Sequence, residues 1–213
     1  RRDGSVDGAV LSTLDPNPFL QLVAKKNEAL RSLIFSAPPQ LEARVQVQPG
    51  SARPEIRVTG TVMAPAFTFK DTEFRDAGSQ IAWKDGLVYA RDLRFSVGRG
   101  KFEGQLWVAP NDFRLTAKNS IAPTSLLGLF DAKTREFLSK MEFTDLPDIS
   151  VSLHRTKTAF ANIRGKGHLK LGRTAMRGSW MDSAESDFEI GDRCVTYRDF
   201  VVKTGSGRGT GSF

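Results

Sequence analysis

Ala90-Arg91-Asp92-Leu93-Arg94-Phe95-Ser96-Val97-Gly98-Arg99-Gly100-Lys101-Phe102-Glu103-Gly104 returns 107 residues later as Tyr197-Arg198-Asp199-Phe200-Val201-Val202-Lys203-Thr204-Gly205-Ser206-Gly207-Arg208-Gly209-Thr210-Gly211. The same spacing carries Ile56-Arg57 onto Ile163-Arg164, Gly60 onto Gly167, Ser79 onto Ser186, Ile81 onto Phe188 and Asp85 onto Asp192. One spacing held over that span marks a repeated unit. Such units stack because one alone cannot bury its apolar face.

Working outward, most of the chain alternates with period two. Leu41, Ala43, Val45 and Val47 share one face, with Glu42, Arg44, Gln46 and Gln48 opposite. Ile56, Val58, Gly60 and Val62 repeat the pattern, as do Leu93, Phe95 and Val97, then Phe102, Gly104, Leu106 and Val108, then Phe113, Leu115 and Ala117. In the second half Ile149, Val151 and Leu153, Leu169 and Leu171, Phe188 and Ile190, and Phe200 and Val202 continue it. This alternation predicts strands with one wet and one dry face. Turn signals fall between them at Pro49-Gly50, Lys84-Asp85-Gly86, Gly98-Arg99-Gly100, Pro110-Asn111-Asp112 and Gly191-Asp192. Their spacing predicts an antiparallel meander.

Two segments break the alternation. Asp15-Pro16-Asn17-Pro18 leads into Phe19, Leu20, Leu22, Val23, Ala29, Leu30, Leu33 and Ile34 at helical spacing, and predicts a helix over 17–35. Pro123-Thr124-Ser125 leads into Leu126, Leu127, Leu129, Phe130, Phe137, Leu138 and Met141, and predicts a helix over 124–142. The unit is therefore read as one amphipathic helix followed by strands, present twice, over 15–120 and 121–213. Residues 1–14 are read as the end of a preceding unit, because Gly4-Ser5-Val6-Asp7-Gly8-Ala9-Val10 looks like Gly100-Lys101-Phe102-Glu103-Gly104-Gln105-Leu106. Both ends read as interior sequence of a longer, repeated protein.

Composition narrows the chemistry. With 39% hydrophobic and 26% charged residues the chain is globular. The net charge of +7 favours anionic partners in general, but the basic residues alternate with acids and form no run, so a solvated face accounts for them. Cys194 is the single cysteine, which excludes an intrachain disulfide framework. His154 and His168 lie in different predicted strands, with no His-Glu-x-x-His or cysteine cluster to complete a metal site. The acidic run Asp182, Glu185, Asp187 and Glu189 lacks the spacing of a calcium loop. The Gly-x-Gly stretches lack the strand–loop–helix setting of a phosphate loop. No catalytic set, metal or cofactor is expected, and nucleic-acid binding is disfavoured because the aromatics sit on the dry faces. No apolar run is long enough to span a bilayer.

A sheet with one apolar face must close into a barrel, pack on a second sheet or curl. A repeating unit with no sign of closure fits the last of these. The expected fold is mainly β: an elongated, curled antiparallel sheet, or gutter, built from two repeats with one short helix each. Its lining is expected to include Val45, Val58, Ile81, Trp83, Phe95, Phe102, Leu106, Phe188 and Phe200. The alternative is that these residues fill an ordinary closed core.

Three features carry a family resemblance. These are the Pro123 start with Leu126-Leu127, the phrases Asp85-Gly86-Leu87 and Arg91-Asp92-Leu93 before Gly100 to Gly104, and the second copy's Arg198-Asp199-Phe200 with Gly205 to Gly211. Here the chain resembles the AsmA-like superfamily of Gram-negative envelope proteins, although Asp192-Arg193 replaces Asp-Gly in the second copy. The resemblance covers most of the chain, and its motifs set the fold rather than any chemistry. It implies a periplasmic protein anchored in the inner membrane by a helix outside this sequence. It further implies a groove that carries phospholipid toward the outer membrane or assists outer-membrane assembly, and no catalytic residues. A structural or adhesive scaffold with a closed, lipid-free core is the alternative.

Overall fold

The computed structural model describes residues 5–18, 20, 31–49, 54–156, 163–191 and 194–212. In chain order its strands are β1 (Val6–Ser12), β2 (Leu33–Phe35), β3 (Gln40–Gln48), β4 (Glu55–Phe69), β5 (Thr72–Lys84), β6 (Leu87–Val97), β7 (Gly100–Ala109) and β8 (Asp112–Asn119). They continue as β9 (Met141–Phe143), β10 (Asp148–Thr156), β11 (Ile163–Leu171), β12 (Thr174–Met176), β13 (Ser179–Met181), β14 (Ser183–Gly191), β15 (Cys194–Thr204) and β16 (Gly207–Gly211). The protein is mainly β. A 13-stranded antiparallel sheet runs in the order β1-β3-β4-β5-β6-β7-β8-β10-β11-β14-β15-β16 with β2 added on β4, and it is not closed. A second sheet holds β13-β12-β9. The chain divides into two compact units, residues 1–95 with 104–110 and residues 96–103 with 111–213.

In the first unit the alternation becomes cross-strand rows. Val45 faces Val58, which faces Trp83, and Ala43 faces Gly60, which faces Ile81. Residues directly opposite in an antiparallel pair share a face. Gly60 is there because β3 comes close: a Cβ at this position would stand 2.2 Å from the Glu42 carbonyl oxygen. Its counterpart Gly167 is equally tight, at 2.3 Å from the Ser150 carbonyl oxygen.

The long β4–β5 pair changes character at Pro65 and Asp76, which lie opposite one another between the pairs Ala64–Ala77 and Ala66–Arg75. Pro65 has no N–H to give, and Asp76 takes a left-handed φ of 53°. Across this point the covered side chains of β5 change parity, from Ser79 to Phe74 and Thr72. In the second unit the same place is broken outright. Gly172 stands where Pro65 stood, and β11 and β12 are separate strands. Asp145 accepts the Arg173 amide there at 2.8 Å. β9 then pairs β12 as β2 pairs β4.

The repeat is also built into backbone detail. Asp92 and Asp199, 107 positions apart, take φ of 50° and 51°. Beside each stands a buried serine. Ser79 Oγ lies 2.9 Å from the Arg91 carbonyl oxygen, and Ser186 Oγ lies 2.8 Å from that of Arg198. The β14–β15 register shifts at this point, a bulge that turns side chains on either side of it to the same face.

Both helix expectations need correction at their bounds. Asn17, Pro18, Leu20 and Arg31 are helical, and 19 and 21–30 lie outside the described residues, but the end of 17–35 is a strand: Leu33–Phe35 pairs with Phe67 to Phe69 of β4. Asn17 holds it there, donating from Nδ2 to the Phe35 carbonyl and accepting the Phe35 amide on Oδ1, both at 2.8 Å. In place of one helix over 124–142 there are 3-10 turns at Pro123–Leu129, a helix α1 (Ala132–Leu138) and then β9. Asp131 forces the division. Its carboxylate accepts the Thr134 amide at 2.8 Å and so caps a new helix start.

Candidate functional site

All nine residues expected to line a groove are half-buried, neither covered nor free. The covered apolar residues among those described are mostly alanines (Ala43, Ala64, Ala90, Ala117, Ala122, Ala175 and Ala184), with Phe74, Val97, Ile121, Leu138 and Pro147 the larger exceptions. The strands thus bury their small side chains and leave the large ones partly in water.

The structure brings some of the nine together and not others. Val45, Val58, Trp83 and Ile81 occupy two adjoining rows across β3, β4 and β5. Phe95 belongs to a different group, a chain of rings running Phe35–Phe67–Phe74–Phe95 with centroids 5.6, 4.9 and 5.4 Å apart. Here the first unit fills its own apolar face. Leu106 lies in the β7 segment of the first unit, and Phe102 in the segment assigned to the second. In the second unit the Phe188 ring covers Gly167, where a Cβ would stand 2.4 Å from Phe188 Cζ, and Tyr197 lies 6.3 Å away. Phe200 faces Gly211, which offers no side chain. Phe35, Phe67 and Phe74, which share this ring chain with Phe95, were not among the expected lining residues. The alternation of Leu33 and Phe35 is the signal that could have placed Phe35 in a strand.

The opposite face is polar and ion-paired. Arg44 forks onto Asp7 across β1 and β3, and this hydrogen bond holds the Asp7 carboxyl below the usual carboxylate range. Arg75 does the same for Glu73; off the sheet, Lys140 donates to Glu136 of α1 at 2.7 Å and lowers it likewise. The amide of Thr134 lowers Asp131. His168 sits between Asp187, at 2.8 Å from Nδ1, and Glu185, at 3.2 Å from Nε2. A shallow concavity of about 1050 Å³ lies on this face of the first unit, lined by Asp7, Arg44, Thr59, Gln80, Tyr89 and Arg91 among others. A smaller and more apolar concavity of about 520 Å³ is lined by Thr59, Ala82, Leu87, Tyr89 and Trp107 among others. The ion-paired groups of this face are exposed. Among the described residues, no group of three or more His, Cys, Asp or Glu is arranged so that it could hold a metal ion. No helix among them is long and apolar enough to cross a membrane.

No family model, curated protein or solved structure matches this chain.

Proposed function

We propose that this chain is a non-enzymatic segment of an envelope lipid conduit, in which the apolar face of the sheet takes up phospholipid acyl chains. The observation that carries the reading is the half-buried row Val45–Val58–Trp83 with Ile81 beside it. Each methylene that such a face withdraws from water contributes about 0.8 kcal/mol. Contact of this kind is non-directional, so an acyl chain slides along it rather than lodging. The residues of the second unit that would serve the same end are Phe188 and Phe200. The family resemblance adds a periplasmic location, attachment to the inner membrane through a segment outside this sequence, and transport toward the outer membrane or help in outer-membrane assembly.

A second reading, a scaffold with a lipid-free core, is favoured by one feature: the Phe35–Phe67–Phe74–Phe95 chain fills part of the face with the protein's own rings. Native mass spectrometry separates the two. Val58→Glu places a charge at the centre of the row and away from the ring chain. It should strip lipid from the purified protein while the β-sheet circular dichroism persists. Lipid retained at the wild-type level in that variant would overturn the assignment of the face.

A further inference from the structure

The chain builds one hairpin twice, between β4 and β5 in the first unit and between β12 and β13 in the second. The backbone bonds around it match. The Arg177 amide donates to the Lys140 carbonyl at 3.0 Å, as the Lys70 amide donates to the Ser32 carbonyl at 3.3 Å. At the other end of the same pairing the Thr144 amide donates to the Arg173 carbonyl, as the Ser36 amide donates to the Ala66 carbonyl. Both turns are left-handed at two consecutive residues. Arg177 and Gly178 take φ of 51° and 80°, and Lys70 and Asp71 take 47° and 61°. Such a pair is what a two-residue hairpin loop requires.

On this shared backbone the side chains diverge. Residues 66–74 carry Lys70 together with Asp71 and Glu73, and Arg75 closes on Glu73 in an exposed ion pair at 3.0 Å. Residues 173–181 carry Arg173 and Arg177 and no acid, because Gly178 stands for Asp71 and Trp180 for Glu73. Trp180 lies opposite Ala175, and its ring carries the Arg173 guanidinium 4.8 Å from the centroid. The tryptophan is nevertheless 43% exposed, and Met176, next to the turn, is 39% exposed. The end of α1 adjoins them through Lys140, whose amide donates to the Phe137 carbonyl at 3.2 Å; Phe137 is 47% exposed. The first unit shows that a glutamate serves this hairpin as well as a tryptophan does. The second unit therefore holds an indole in water that its turn does not need, beside two cations that no acid of the hairpin balances.

We propose that the β12–β13 hairpin, with Phe137 of α1, docks on the surface of an anionic phospholipid bilayer. Exposed aromatic and thioether groups flanked by arginine match the layer where acyl chains meet headgroups. Trp180, Met176 and Phe137 enter the upper acyl region, while Arg173 and Arg177 reach the lipid phosphates. The absence of acid from residues 173–181 sets the preference for anionic lipid. This contact is distinct from acyl-chain uptake on the first unit's sheet: the lipid stays in its bilayer, and no residue is shared.

Co-sedimentation of the whole chain with vesicles tests this, using phosphatidylglycerol mixed with phosphatidylcholine and, separately, phosphatidylcholine alone. The wild type should sediment with the mixed vesicles, much less with phosphatidylcholine alone, and less with either as salt rises. Trp180→Glu installs the first unit's own residue and should weaken binding about tenfold or more. Arg177→Asn suits the left-handed turn and should weaken it roughly fivefold. Arg208→Ser removes the same charge from β16, outside the hairpin, and should bind as wild type; Val58→Glu should also bind as wild type, which separates this contact from the acyl-binding face. Circular dichroism checks that each variant is folded, and Arg177→Asn against Arg208→Ser decides the matter should Trp180→Glu unfold. A wild type that does not sediment with the mixed vesicles, a folded Trp180→Glu that binds as wild type, or equal losses in Arg177→Asn and Arg208→Ser would each overturn the proposal.

Discussion

Replacing Ser186 or Ser79 by alanine tests whether the 107-residue repeat extends to energetics. Each hydroxyl serves the carbonyl just before a left-handed aspartate, Arg198 before Asp199 and Arg91 before Asp92. Ser186 is 2% exposed and Ser79 7%, so water cannot take over the lost bond. A buried acceptor left without its donor costs about 1–3 kcal/mol. For a chain of this size that lowers the melting temperature by roughly 2–4 °C per kcal/mol, so each variant should melt about 2–12 °C below wild type. The two losses should be of similar size, because both serines bond the carbonyl before an aspartate of the same left-handed φ. Serine to alanine at Ser152, exposed on β10, is the control and should leave the midpoint unchanged. Coupling to the backbone is checked by adding Asp199→Gly to Ser186→Ala. Glycine holds the left-handed conformation without a Cβ penalty, so the two effects should not add. Thermal melts followed by circular dichroism suffice. If both buried variants melt with wild type, or with the Ser152 control, the serine does not hold the bulge and the argument fails.

Other consequences follow from the same structure. Phe74→Ala deletes a ring that is 8% exposed and stacked on Phe67; it should cost about 3–5 kcal/mol in urea unfolding, whereas a loss below about 1 kcal/mol would mean that the ring chain does not support the first unit. Gly60→Val puts carbon where the Glu42 carbonyl sits and should split β3 from β4, read as lost amide protection in β3 by hydrogen exchange; retained protection would contradict the close approach. The carboxyls of Asp7, Glu73 and Glu136 are held below their ordinary values of 3.8 and 4.5 by Arg44, Arg75 and Lys140. A depressed folded-state value contributes stability that is present above the unfolded value and lost as pH falls through the folded one. Urea midpoints should therefore hold at neutral pH and drop below about pH 4, with a shallower drop in Asp7→Asn and at high salt; a midpoint independent of pH down to 3 would contradict the ion-pair account.

The strands were legible because alternation is a direct print of a sheet with one dry face. Val45, Val58 and Trp83, read as dry from sequence, do stand in one row. The repeat was legible because Arg91-Asp92 and Arg198-Asp199 encode the same left-handed aspartate twice. The boundaries of the helical segments were not. Leu33 and Phe35 fit a helical face as well as a strand, and only their pairing with Phe69 and Phe67 decides between the two. Likewise Asp131 restarts a helix within a stretch whose apolar spacing looks continuous. Val6-Asp7-Gly8 matches a β7-like phrase locally, while in pairing β1 stands to β3 as β8 stands to β10. Of the candidate face, sequence gave the apolar positions without their grouping. Phe95 alternates like Val45, yet it is committed to the ring chain through Phe74.

The account stands or falls on whether the large half-buried side chains around Val58 are completed by lipid. Native mass spectrometry of the chain, purified without detergent from an envelope extract, measures this directly. The account predicts adducts at phospholipid mass on the wild type, lost in Val58→Glu and retained when a charge is placed on the polar face by Thr61→Glu. A folded wild-type chain carrying no acyl species, across preparations and with phospholipid supplied in excess, would contradict it.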